Sequence, residues 1–129
     1  AGAVMAGCSA GAMAMSGYTV SLRALVSGLI SGEPGDWLPA LATVPQVVVF
    51  PHFDRMVGMV RDPVVRRLAQ AAPAGVTLIG VDEDTALVRL DHPANGAAQT
   101  WRVMGRQAAH LYRAGAAPEV LRAGQTVTL

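Results

Sequence analysis

Residues Gly7-Cys8-Ser9-Ala10-Gly11 fit G-x-S-x-G, the pattern of a nucleophile perched on a strained turn between a strand and a helix. Such a turn calls for tiny residues two before and two after the nucleophile, because the backbone folds close on both sides. That requirement sets the register. Ser9 at the apex puts Gly7 and Gly11 at the tight positions, whereas Cys8 at the apex would put Ala6 and Ala10 there, a poorer fit. With Ser9 central, the Ala10 N–H stands at the positive end of the following helix, facing a developing oxyanion. The chemistry implied is acyl transfer through a serine hydroxyl. A pentapeptide of small residues also occurs as an ordinary glycine-rich turn, so the pattern needs partners elsewhere in the chain.

A serine needs a base, and the chain has three histidines. His52 directly follows a predicted central strand, where the side chains of an open α/β sheet gather at the ligand crevice, and it is the favoured base. His92, in the turn "DHPANG", and His110, in an Arg- and Tyr-containing hairpin, read as solvated surface residues. A third group must orient the imidazole, and Asp82, Glu83 and Asp84 follow the next buried strand at the same sheet edge. The order Ser, His, acid differs from the Ser, acid, His order of α/β-hydrolases and disfavours that fold. Asp82, Glu83 and Asp84 with His52 make a poor metal site, since adjacent strand-end side chains splay to opposite sides; no metal or other cofactor is expected. Arg55, Arg61 or Arg66 could receive a substrate carboxylate through paired hydrogen bonds.

These groups need a scaffold. Ala3–Ala6 reads as a short buried strand, followed by the turn and a helix opening near Ala10. Gly17–Pro45, broken by Gly28, Gly32, Pro34, Gly35 and Pro39, reads as a long irregular connection with a helical turn around Leu22–Val26. "QVVVF" (46–50) and "GVTLIGV" (75–81) are apolar runs without alternation, as in strands covered on both faces of a largely parallel sheet. Between them "DPVVRRLAQAA" predicts a helix, with Asp62 able to cap, Pro63 at the first helical position, and Val64, Val65, Leu68 and Ala69 on one face. "TALVRL", "TWRVMG" and "QTVTL" predict shorter strands towards the C-terminus, parted by turns. The expectation is one layered α/β domain over residues 1–129, mostly parallel, with antiparallel edge hairpins at its end.

Composition narrows the partners. The 129 residues are 52% hydrophobic and 15% charged, too apolar for disorder, and Ala1–Leu22, though uncharged, is too rich in Gly, Ser, Thr and Tyr for a spanning helix. All ten basic residues are scattered arginines and the formal charge is +1, which argues against nucleic acid and anionic membranes as partners. The lone Cys8 excludes an intramolecular disulfide and suits a reducing, cytoplasmic setting.

Three segments, "GCSAGAM", "VPQVVVFPHFDR" with a later "RRL", and "IGVDEDTAL", occur in an order and at separations that resemble the cyanophycinase and α-aspartyl dipeptidase (peptidase E) family of serine peptidases. The resemblance implies a fold similar to class I glutamine amidotransferase domains, with Ser9 as nucleophile, His52 as base and Glu83 as orienting acid, Asp82 and Asp84 being alternatives. Met15–Ile30 holds no carboxylate, where the dipeptidase branch places its acid, while Pro51-His52-Phe53 is closer to that branch than the Asp-Gln that precedes His-Phe in cyanophycinases. The implied substrate is a small peptide or polymer with an aspartyl residue at the cleaved bond; Arg55 and Arg66 stay candidate substrate contacts on their chemistry alone, because the arginines of cyanophycinases follow the histidine more closely than Arg61, Arg66 and Arg67 do here. The resemblance also implies that this chain is the C-terminal portion of an enzyme, lacking a half that donates a second oxyanion N–H. Apolar surface bared by that half would favour self-association. A catalytically inactive relative that binds an acidic peptide or metabolite, and amidotransferase-like thiol chemistry at Cys8, are the competing expectations.

Overall fold

The computed structural model describes residues 3–21, 23, 27, 31, 36–57, 62–90 and 98–129. Arg61, His92 with its turn, and, Arg23 excepted, the helical turn expected around Leu22–Val26 lie outside the described residues.

The two β-branched runs become strands β3 (Val47–Pro51) and β4 (Thr77–Val81), paired in parallel from Val47↔Thr77 to Pro51↔Val81. Their side chains alternate between two separate cores. Val48, Phe50 and Leu78 face helices α2 (Phe53–Val57) and α3 (Asp62–Ala71), while Val47, Val49 and Ile79 face a second sheet. Burial on both faces explains why neither run shows polar alternation. Leu78 and Ile79 are 0% and 1% exposed, each burial contributing about 1.5–3 kcal/mol. Helix α3 presents Val65, Leu68 and Ala69 to the sheet, with Val64 at the margin, as its i, i+3, i+4 spacing requires.

The C-terminal third switches between sheets. Strands β5 (Thr85–Arg89), β6 (Thr100–Gly105) and β9 (Thr126–Thr128) form an antiparallel sheet in the order β5-β6-β9 and send Leu87, Val103 and Val127 into the second core. Strands β7 (Ala108–Tyr112) and β8 (Glu119–Arg122) return to the main sheet, whose order is β3-β4-β7-β8. The chain is therefore α/β with mixed and antiparallel sheets. Among the named strands only β3 and β4 pair in parallel, which replaces the expected mostly parallel sheet, because β7 runs antiparallel against β4. β7 is also central rather than an edge hairpin, and Ala109 and Leu111 are fully buried.

The expected N-terminal strand does not form. Ala3–Ala6 pair with none of the described strands and form no regular element, with Val4 96% and Met5 61% exposed. Helix α1 (Ala10–Met15) follows the turn. After it Ser16 and Gly17 run beside β3, where the Gly17 N–H donates to the Val47 carbonyl and the Val49 N–H to Ser16 Oγ. This contact sets the turn and helix α1 against the strand that leads into His52. Within the long connection, β1 (Tyr18–Thr19) and β2 (Leu38–Pro39) pair antiparallel. No helix among the described residues is long and apolar enough to cross a membrane.

Candidate active site

The turn at Ser9 is strained as its pattern demands. Ser9 has φ 51° and ψ −122°, a conformation that costs a non-glycine residue about 1–3 kcal/mol and must be held by its surroundings. The Gly11 N–H donates to the Cys8 carbonyl at 2.9 Å, and the Ala12 and Met13 N–H groups donate to the Ser9 carbonyl at 3.0 and 3.2 Å. A methyl group on Gly7 would stand 2.7 Å from the Gly11 backbone and 2.6 Å from Met15 Sδ, so glycine is required there. A methyl on Gly11 would meet nothing within 4 Å. Only one of the two small residues expected of the turn is thus dictated by crowding among the described residues. The apex is Ser9: Cys8 is free and exposed, while the Ser9 hydroxyl, which does not cap the helix, meets an imidazole.

That imidazole is His52, at the C-terminal end of β3. Its own φ is 53°, and its carbonyl accepts the Arg55 and Met56 N–H groups at 3.0 and 3.1 Å, starting α2 immediately. The next side chain fixes its place. Phe53, 2% exposed, lies over Gly80 of β4 and beside the rings of His110 and Tyr112, with centroids at 5.0 and 5.9 Å. His52 Nε2 lies 3.1 Å from Ser9 Oγ, and its Nδ1 lies 3.2 Å from Glu83 Oε1. An ionised carboxylate only accepts, so the matching tautomer carries its proton on Nδ1, donates to Glu83 and leaves Nε2 to accept the Ser9 hydroxyl. Such a chain can draw the proton from a hydroxyl as its oxygen attacks an electrophile. The site is open: the side chains of His52 and Glu83 are 47% and 37% exposed.

Three adjacent carboxylates part company on the loop after β4. Glu83 alone reaches His52. Its other oxygen, Oε2, accepts from Nε and Nη2 of Arg55, both at 3.1 Å. The Glu83 N–H donates to Asp54 Oδ1 at 2.9 Å, and this bond, foremost among several causes, holds the Asp54 carboxyl below its ordinary value. The Glu83 carbonyl accepts from Thr85 Oγ1 and from Gln107 Nε2. Asp82 turns inward, 8% exposed, and its Oδ2 accepts the Ala108 N–H at 3.2 Å and meets His110 Nε2 at 3.1 Å. Asp84 is exposed and lies 4.0 Å from Arg106. His110 is therefore not the solvated surface residue expected from sequence: it is 23% exposed and wedged between Asp82 and Phe53.

The expected arginines are both engaged. Arg55 holds Glu83, and Arg66 donates to Asp62 Oδ2 at 2.9 Å, one helical turn earlier. Asp62 also accepts from the Tyr112 hydroxyl, whose pKa is pushed up to about 12, first by burial and then by the Asp62 charge. Arg66 thus belongs to the Asp62–Tyr112 cluster, and the Tyr112 ring in turn packs against Phe53. Sequence reasoning missed Asp54, Gln107 and Gly80. For Asp54 a signal existed, since it lies in the first turn of α2 beside the base, with Arg55 next along, and faces the same loop. Among the described residues no group of three metal-ligating side chains occurs.

Residues 1–96 match the sequence profile of peptidase family S51. No curated protein matches the chain. The crystal structure of a peptidase from an acI-B1 Actinobacterium is similar, with TM-score 0.66 and 28% identity over 95% of this chain and 44% of that one. The chain thus spans less than half the length of that peptidase.

Proposed function

We propose, from the premise that this chain belongs to peptidase family S51, that it carries the catalytic residues of a serine peptidase that hydrolyses aspartyl peptide bonds. Ser9 is the nucleophile, His52 the general base and acid, and Glu83 the group that orients His52. The observation that carries this reading is the unbroken hydrogen-bonded run Ser9–His52–Glu83, supplied by a turn, a strand end and a loop that are 43 and 31 residues apart in sequence.

In the proposed reaction Ser9 Oγ attacks the scissile carbonyl carbon while His52 Nε2 takes the hydroxyl proton. The C–N bond breaks as His52 returns that proton to the leaving amine, giving an acyl-serine and a free amino group. Water, deprotonated by His52, then attacks the ester, and Ser9 leaves with its proton restored. Glu83 fixes the tautomer and balances the imidazolium formed in each half-reaction. Ala10, first residue of α1, has an N–H with no intrahelical acceptor and serves as one oxyanion donor. The second donor and the walls that exclude water are assigned to sequence outside these residues, within a layered sheet like that of class I glutamine amidotransferases. Removing one such donor costs about 10²–10³ in rate, so this chain by itself should turn over slowly at best. The free thiol of Cys8 suits a reducing compartment.

The test is hydrolysis of Asp-X dipeptides and of β-Asp-Arg by the complete protein, wild type against Ser9→Ala. Loss of hydrolysis in the variant is expected. Equal rates would remove the peptidase reading, and absence of cleavage by both would favour a binding protein.

A further inference from the structure

Arg55 shares Glu83 with His52. Resting on the serine-peptidase reading above, we infer that Arg55 is a positioning residue, which keeps the Glu83 carboxylate turned so that Oε1 meets His52 Nδ1, and not a receptor for a substrate carboxylate. The geometry divides the carboxylate cleanly. Oε2 takes Nε and Nη2 of one guanidinium at 3.1 Å each, and Oε1 is left for the imidazole at 3.2 Å. Two donors on one planar group restrict rotation of the carboxylate in a way that a single ammonium cannot.

The backbone beneath it is held from the same helical turn. Asp54, the residue before Arg55, accepts the Glu83 N–H, so the first turn of α2 grips both the main chain and the side chain of Glu83. Because α2 begins at the carbonyl of His52, base and acid are referred to one short rigid element. The Arg55 side chain is 73% exposed, and exposed ion pairs contribute little to stability. Its value is therefore in geometry: a Glu83 side chain free to rotate would leave His52 unable to hold the tautomer that Ser9 requires.

The experiment compares the complete protein with Arg55→Ala and Arg55→Lys, using an alkyl fluorophosphonate that carries no carboxylate, together with the 15N shifts of the His52 ring. The expected result is labelling of Ser9 slowed about 10- to 100-fold in R55A, less in R55K, and partly restored to R55A by millimolar guanidinium ion, with thermal stability unchanged. The ring shifts should pass from a dominant Nδ1–H tautomer to a mixture. Wild-type labelling rates in R55A, with loss confined to KM for carboxylate-bearing peptides, would overturn the inference and return Arg55 to substrate binding. If the wild type itself fails to label, the peptidase reading fails, and the tautomer still decides the role of Arg55: unchanged ring shifts in R55A overturn it.

Discussion

Gly80 offers the sharpest test of how the base is held, because it lies on a strand behind the site and touches no reacting group. A methyl group there would stand 2.5 Å from both Cδ1 and Cδ2 of Phe53 and closer still to Cγ. Carbon atoms rest at about 3.5–4.0 Å, so in Gly80→Ala the ring must withdraw by about 1 Å. It has little room, being 2% exposed with the His110 and Tyr112 rings alongside. Overpacking of this kind costs about 1–3 kcal/mol. The displacement also passes to His52, the preceding residue, whose bonds to Ser9 and Glu83 are 3.1 and 3.2 Å and would not survive it. A misplacement of about 1 Å can cost about 10²-fold in rate. The assay is the second-order rate of fluorophosphonate labelling at Ser9 in the complete protein, with urea unfolding alongside. Combining G80A with Phe53→Leu should recover part of the lost rate, since the two sites are in contact and their effects should not add. Labelling and stability at wild-type levels in G80A alone would refute the claim that Phe53 against Gly80 positions the base.

Two further predictions concern glycine at the turn and the buried phenol. Gly7→Ala should destabilise by about 1–3 kcal/mol through crowding against Gly11, whereas Gly11→Ala should stabilise α1 by up to about 1 kcal/mol; urea midpoints moving in opposite directions check this. Tyr112 has its folded pKa raised from 10.0 to about 12, so its stabilising contribution is complete below pH 10 and is lost as pH rises through about 12. In Tyr112→Phe the fall in stability across that alkaline window should be shallower, as pH-dependent urea melts would reveal.

The site was more legible in the sequence than the sheet was. Ser9 and His52 carry local signals, a glycine-framed turn and a residue following an unbroken β-branched run, whereas for the acid the local pattern leaves Asp82, Glu83 and Asp84 open and only the family resemblance singles out Glu83. The parallel pairing of β3 with β4 and the helix between them follow from the same runs. What escaped was set by long-range contact. β7 begins Ala108-Ala109, residues with little strand preference, and becomes central only because β4 accepts it from Leu78 to Val81. Its placement half-buries His110 and assigns Asp82 to it, which is why three neighbouring carboxylates end with three different partners. The opposite error occurred at Ala3–Ala6, whose apolar pattern predicts a strand that finds no partner among the described ones.

The central claim, that Ser9 is activated by His52 under the direction of Glu83, is tested most directly by the position and rate of fluorophosphonate modification in the complete protein. Mass spectrometry of the labelled wild type should find the adduct on Ser9 and none on Cys8. Labelling should vanish in His52→Ala and fall in Glu83→Gln by up to about 10⁴-fold, the scale of loss when an orienting carboxylate is made an amide. An adduct on Cys8, or labelling of Ser9 at an unchanged rate in both variants, would contradict the account.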